Sequence, residues 1–205
     1  MSKFDLGKVK IETNSGLSPY VSYGTGHVLK INQIELVKSV NTGNSKAIIH
    51  VETKPIKDDG FKPVDGAKGQ VGKIALGVYM KTDEQKNEFI ANLKAIAEAM
   101  DLKEDIEEIS GDVFEAVVQD IDTMFRQNKR FARFSIFVEE YQKPENKIGL
   151  RLYFPRYNFV EHLDVDPEKS KLVKFDKTNS RHYKAFVATA APVASKLGPV
   201  DDLPF

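Results

Sequence analysis

The side chains in this sequence best suited to chemistry are cations and flat rings. They crowd into one segment, RQNKRFARFSIFVEEYQKPENKIGLRLYFPRYNF, from Arg126 to Phe159. Arg126, Lys129, Arg130, Arg133, Arg151 and Arg156 interleave there with Phe131, Phe134, Phe137, Tyr141, Tyr153, Phe154, Tyr157 and Phe159. Cationic groups neutralise phosphates, and aromatic faces stack on unpaired bases at about 1–3 kcal/mol per base, whatever the base. These are the two ingredients of a single-strand binder. From Arg126 to Tyr157 there are 8 basic and 3 acidic residues, while from Asp83 to Asp122 there are 13 acidic and 3 basic. The chain as a whole carries no net charge, but a local patch decides what docks. For any single ring, inward packing with arginines solvating the rim is the simpler reading; for the segment as a whole, binding is favoured.

Other chemistries find less support. His27, His50, His162 and His182 are scattered without metal-ligand spacing. The acidic run Glu104, Asp105, Glu107, Glu108, Asp112 and Glu115 has the residue types of a metal-dependent nuclease. It falls in a polar linker and on helix faces, where solvated carboxylates are the rule. Gly24-Thr25-Gly26 and Gly66-Ala67-Lys68-Gly69 complete neither a P-loop nor a dinucleotide fingerprint. No Ser-His-Asp set is recognisable from order alone. The absence of cysteine removes disulfides, thiolate metal sites and a cysteine nucleophile. The expectation is a protein that is not an enzyme, with no catalytic residue, metal or cofactor.

The chain is 205 residues long, 41% hydrophobic and 29% charged, enough for one sizeable core. MSKFDLGKVK is charged and lacks the apolar run of a signal peptide. No apolar stretch approaches the roughly 18 residues of a membrane span. A soluble, cytoplasmic protein with no membrane partner is expected.

The elements that must position the cations and rings follow from periodicity. Residues 1–26, polar and punctuated by glycine, read as an extended N-terminal arm. A domain spans 27–187. Its first strand, His27 to Val37, alternates but slips phase at Asn32-Gln33, as a β-bulge would make it do. Asn41-Thr42-Gly43-Asn44 reads as a hairpin turn, and a strand from Lys46 to Ile56 turns Ala47, Ile49 and Val51 to one face. After a Gly- and Pro-rich loop from Lys57 to Gly72, a strand from Lys73 to Met80 aligns Ile74, Leu76, Val78 and Met80. The period then changes over residues 82–126. Thr82-Asp83-Glu84-Gln85 has capping-box spacing, with Thr82 as N-cap, and Phe89, Ile90, Leu93, Ile96, Ala97 and Met100 follow at helical spacing. A second helix from Asp112 to about Arg126 buries Phe114, Val117, Val118, Ile121 and Phe125.

Strands resume from Phe131 to Tyr141, turn at Pro144-Glu145-Asn146-Lys147, and run from Ile148 to Phe154. Alternation gives Phe134, Ile136 and Val138, and Ile148, Leu150, Leu152 and Phe154, to the core. It turns Phe131, Arg133, Ser135 and Phe137, beside Gly149, Arg151 and Tyr153, outward as a binding platform. Lys46, Lys54 and Lys73 extend the groove. Residues 164–187 are charged and fit no period. Residues 188–205 begin with an Ala-, Pro-, Ser- and Gly-rich linker and read as a flexible tail. Three strands, helices, then two strands make a mainly β fold with an α insertion: an OB-like five-stranded barrel with helices between strands 3 and 4.

The tip of the tail is Asp201-Asp202-Leu203-Pro204-Phe205. Here the sequence resembles single-stranded DNA-binding proteins of bacteria and their phages, whose bacterial members end in an acidic stretch and an aliphatic-Pro-Phe tip. The body resembles the phage members with OB-like barrels more weakly, through its strand order and its basic-aromatic strands. The resemblance implies a protein that coats single-stranded DNA in phage replication and recombination and recruits replication and repair enzymes. Carried over, Phe205 is the anchor in an apolar, basic pocket, Pro204 limits its freedom, and Asp201 and Asp202 meet basic residues. Such a tail can also fold back over the protein's own basic groove. This chain departs from the pattern in its short acidic stretch and its lack of Trp. The expected contacts to DNA are Arg126, Lys129, Arg130, Phe131, Arg133, Phe137, Tyr141, Arg151, Tyr153, Arg156 and Tyr157. Two other classes remain open: an adaptor of the replisome or of recombination that binds partners through Phe205 and ignores oligonucleotides, and a Mg²⁺-dependent nuclease that loses activity when Asp105 or Glu108 is changed.

Overall fold

A computed structural model of the chain describes residues 21, 23–38, 45–54, 71–143 and 147–187. Most of the N-terminal arm, the turn at Asn41–Asn44, nearly all of the Lys57–Gly72 loop, the centre of the turn at Pro144–Lys147, and the tail with its Asp201–Phe205 tip lie outside the described residues.

β1 (Gly24–Lys38), β2 (Ser45–Thr53) and β3 (Val71–Tyr79) run antiparallel in sequence order. β4 (Ala132–Gln142) and β5 (Ile148–Phe154) form a hairpin. β4 pairs antiparallel with the start of β1, and β5 pairs parallel with β3, so five strands close in a ring ordered β1-β2-β3-β5-β4. β1 can serve two partners because it bends. Its register shifts between Ile31 and Gln33, where the alternation slips, and again between Thr25 and His27. The inner faces bury Leu29, Ile31, Ala47, Ile49, Val51, Ile74, Leu76, Phe134, Ile136, Val138 and Phe154.

Between β3 and β4 lie three helices: α1 (Asp83–Ala99), α2 (Lys103–Glu107) and α3 (Phe114–Asn128). Thr82 caps α1 as its spacing predicts: its hydroxyl accepts from the Gln85 amide, and the Gln85 side chain accepts in return from the Thr82 amide. Thr82→Ala is expected to cost about 0.5–2 kcal/mol, read as a lower urea midpoint at unchanged slope. α1 packs inward through Phe89, Leu93, Ile96 and Ala97. Asp101, with a φ of 57°, breaks the chain after α1, and the short α2 then tucks in Ile106. α3 buries Val118, Ile121 and Phe125. It is fastened to the ring by a buried Asp122, whose carboxylate accepts the Ile34 amide at 2.6 Å and pairs with Arg126 Nε at 2.9 Å.

The charged stretch that fits no period folds back over β4. β6 (Val160–Glu161) pairs with the first half of β4, a 3-10 turn covers Pro167–Lys169, and β7 (Tyr183–Lys184) pairs parallel with the second half. This layer overturns the expected outward row. Arg133 is 2% exposed, and Ser135 and Phe137 are buried with it. The Arg133 guanidinium donates to Glu161 Oε1 at 2.9 Å and to the carbonyls of Val165 and Leu163 at 3.0 and 2.8 Å. Ser135 donates to the Val173 carbonyl, and the Phe137 ring lies 4.2 Å from that of His182. Alternation located the second face of β4 but not the chain that covers it. β5 departs in the other direction: Ile148 and Leu150, assigned to the core, are 50% and 46% exposed, whereas Gly149, assigned outward, is buried. The first half of β5 runs past the closed part of the ring.

Candidate nucleic-acid interface

The β4–β5 hairpin and β7 concentrate rings and cations on one surface. Tyr141 sits across from Gly149 in the ladder. With no side chain at Gly149, the Tyr141 ring and the Lys143 stem lie over its backbone; a Cβ there would meet Lys143 Cε at 2.5 Å and Tyr141 Cζ at 2.7 Å. Arg151 follows two residues along the same face of β5. Its guanidinium carbon lies 5.2 Å from the Tyr141 ring centroid, within cation–π range, and Nη1 is 3.3 Å from Glu139 Oε2. Tyr153 is next on that face. It meets Phe137 edge-on at 5.9 Å, donates its hydroxyl to the Arg181 carbonyl at 2.8 Å, and carries Lys184 Nζ 5.6 Å from its centroid. Burial pushes the Tyr153 phenol up, and the Glu139 carboxylate adds to that, so the ring stays neutral at physiological pH. Tyr183 completes the set, with Lys177 Nζ 5.2 Å from its centroid.

Tyr183 also locks this surface to the hairpin. Its hydroxyl donates to Glu140 Oε1, and the Phe186 amide donates to Oε2 of the same carboxylate at 3.0 Å. The Tyr183 bond, ahead of the Phe186 amide, holds the Glu140 carboxyl below its usual range. The same bond, ahead of burial, pushes the Tyr183 phenol up to about 12. A depressed carboxyl contributes stability above its ordinary pKa of 4.5 that is lost as pH falls through the folded value. A raised phenol contributes stability below its ordinary 10.0 that is lost as pH rises through about 12. Tyr183→Phe should therefore have a lower urea midpoint than the parent at pH 7, with the difference shrinking below pH 4.5.

The remaining predicted contacts separate into other groups. Lys129, at the left-handed C-cap of α3 with a φ of 52°, and Arg130 are exposed. Beside them the half-buried Phe131 ring has Lys30 Nζ at 5.7 Å and Lys54 Nζ at 5.6 Å. Arg126 is held by Asp122. This second cationic corner lies about 33 Å along β4 from Tyr141, at the usual rise of a strand. Arg156 and Tyr157 belong to neither patch: Arg156 stacks on Tyr157 at 5.3 Å and pairs with Glu88 of α1 at 3.1 Å. Arg133 and Phe137 are covered, as described above. Lys73 of β3 lies 3.9 Å from Glu35, which His50 also contacts at 2.7 Å, while Lys46 lies on β2.

Lys30, Lys177, Tyr183 and Lys184 were missed by sequence reasoning. The last three sit in KLVKFDKTNSRHYKAF, where lysines alternate irregularly with rings; that was the available signal, but turns break any period. The acidic run from Glu104 to Glu115 lies on or beside α2 and at the start of α3, with all six carboxylates exposed. Among the described residues, no group of three or more His, Cys, Asp or Glu is placed to hold a metal ion. Among the same residues, no helix is long and apolar enough to cross a membrane. No protein-family model matches the chain, and no curated protein matches it.

Proposed function

We propose that this chain is a single-stranded DNA-binding protein of the OB type, coating single strands in phage DNA replication or recombination and recruiting partners through its Asp201–Phe205 tip. One observation carries the reading: Tyr141, Tyr153 and Tyr183 each lie beneath a cation, Arg151, Lys184 and Lys177 respectively, on one surface of the β4–β5 hairpin and β7. Each pair offers a ring to a base and a charge to a neighbouring phosphate. The closed five-strand ring, with its helices between the third and fourth strands, supports the OB assignment. The corner at Phe131, Lys30 and Lys54 supplies a second contact along the same strand. The exposed carboxylates of the helical insertion repel phosphates and restrict the nucleic acid to the opposite charge. Photo-crosslinking of bromodeoxyuridine-substituted oligonucleotides, with mass-spectrometric mapping, tests the placement. Adducts on Tyr141 or Tyr153 are expected, and adducts confined to α1–α3 would refute it.

A further inference from the structure

Among the described residues, β3 and β5 pair only at Ala75–Tyr153 and Leu76–Phe154. Ahead of those pairs the strands part, and a groove of about 680 Å³ opens between them. Val71 of β3 and Leu150 and Leu152 of β5 line it. Val71 and Leu150 are 38% and 46% exposed, and Ile148, on the same face of β5 as Leu150, is 50% exposed. Two strand edges and a row of apolar side chains thus face one opening. Such edges are templates for another strand.

The chain itself enters at this opening. Val21, also in the lining, is 2% exposed and lies against Gly72. A Cβ on Gly72 would fall 2.5 Å from Val21 Cγ2 and 3.2 Å from the Val21 backbone nitrogen, so the glycine is what admits the approach. The residues immediately before Val21 therefore start from inside the groove. In extended conformation, Pro19 and Leu17 share the face of Val21, and Ser18 and Tyr20 take the other. That alternation continues the apolar row begun by Val21. Pro19 lacks an amide proton, so the segment donates from Ser18 and Tyr20 to one edge only, the pattern of a strand added at a margin.

We propose that Gly16–Tyr20 form a strand that fills the seam between β3 and β5, with Leu17 seated against Val71 and Leu150. The inference concerns closure of the ring and is independent of what the hairpin surface binds. Its occupant is this chain's own segment; a second copy's segment is the competing outcome.

The absence of native cysteine makes the test clean. Full-length Leu17→Cys/Leu150→Cys and Leu17→Cys/Val71→Cys are oxidised mildly at low protein concentration, beside Leu17→Cys/Asp120→Cys as control. A disulfide needs Cα atoms about 4.4–6.8 Å apart, so it reports contact. An intramolecular disulfide in at least one seam pair, well above the control, is expected. Cross-links that join two chains, or yields no higher than the control, would overturn the proposal. Hydrogen exchange of the full chain gives a second reading. The seam-facing amides of 71–74 and 148–152 should be protected, and Gly72→Val, which collides with Val21, should speed their exchange at least about tenfold. Equally rapid exchange in both proteins would also overturn it.

Discussion

Tyr141→Ala weakens binding to oligo-dT about 5- to 150-fold, the consequence of removing one stacking platform at about 1–3 kcal/mol. The ring lies on the Gly149 backbone and under Arg151, so its loss takes away a positioned surface and leaves the core intact. Arg151→Ala acts differently. It removes one phosphate contact and reduces the slope of log affinity against log salt by about 0.7. The double variant falls short of the sum, because the guanidinium and ring position each other. Tyr157→Ala is the internal control. That ring is also exposed and also under an arginine, but its arginine is turned to Glu88 of α1, away from the hairpin. Its affinity should stay within about twofold of the parent, inside the spread expected of a neutral surface substitution. Equal losses at Tyr141 and Tyr157 would move the interface to the helical side. Equilibrium titration by fluorescence anisotropy measures all four variants.

Arg133→Met loses about 3–5 kcal/mol of folding stability, the cost of breaking a buried ion pair from one side. Glu161 would keep only its contacts with Ser170 and the Lys171 amide, with most of its carboxylate out of water. The carbonyls of Leu163 and Val165 would lose their donor too. Urea denaturation at pH 7 measures the loss. The same variant separates two roles for this arginine. A groove residue would lower the salt slope of DNA binding at little cost in stability. The buried clamp described here predicts a large stability loss and, under conditions where the variant remains folded, an unchanged slope.

Arg133 also marks where reading the sequence stops. Alternation along β4 correctly separated Phe134, Ile136 and Val138 from Arg133, Ser135 and Phe137, because a pleated strand sends successive side chains to opposite faces. Which face meets water depends on a segment some 30 residues later, and residues 164–187 have no period to announce that they cover it. The β1 bulge, the Thr82 capping box and the strand–helix–strand order were legible because each is encoded within a few neighbouring residues. The exposure of Ile148 and Leu150 was not, since it depends on how far β3 and β5 stay together. The candidate site was half legible. Tyr141, Arg151 and Tyr153 stood out by composition on regular strands, whereas Lys177, Tyr183 and Lys184 reach the same surface through turns and a two-residue strand.

The account rests most on preference for single strands, and anisotropy of labelled oligo-dT across a salt series, with unlabelled duplex and RNA as competitors, measures it directly. The account predicts binding that weakens linearly in log salt and is displaced by unlabelled oligo-dT far better than by duplex. Absence of binding at low salt, or displacement by duplex as effective as by oligo-dT, would contradict it and leave the tip from Asp201 to Phe205 as the working part of an adaptor.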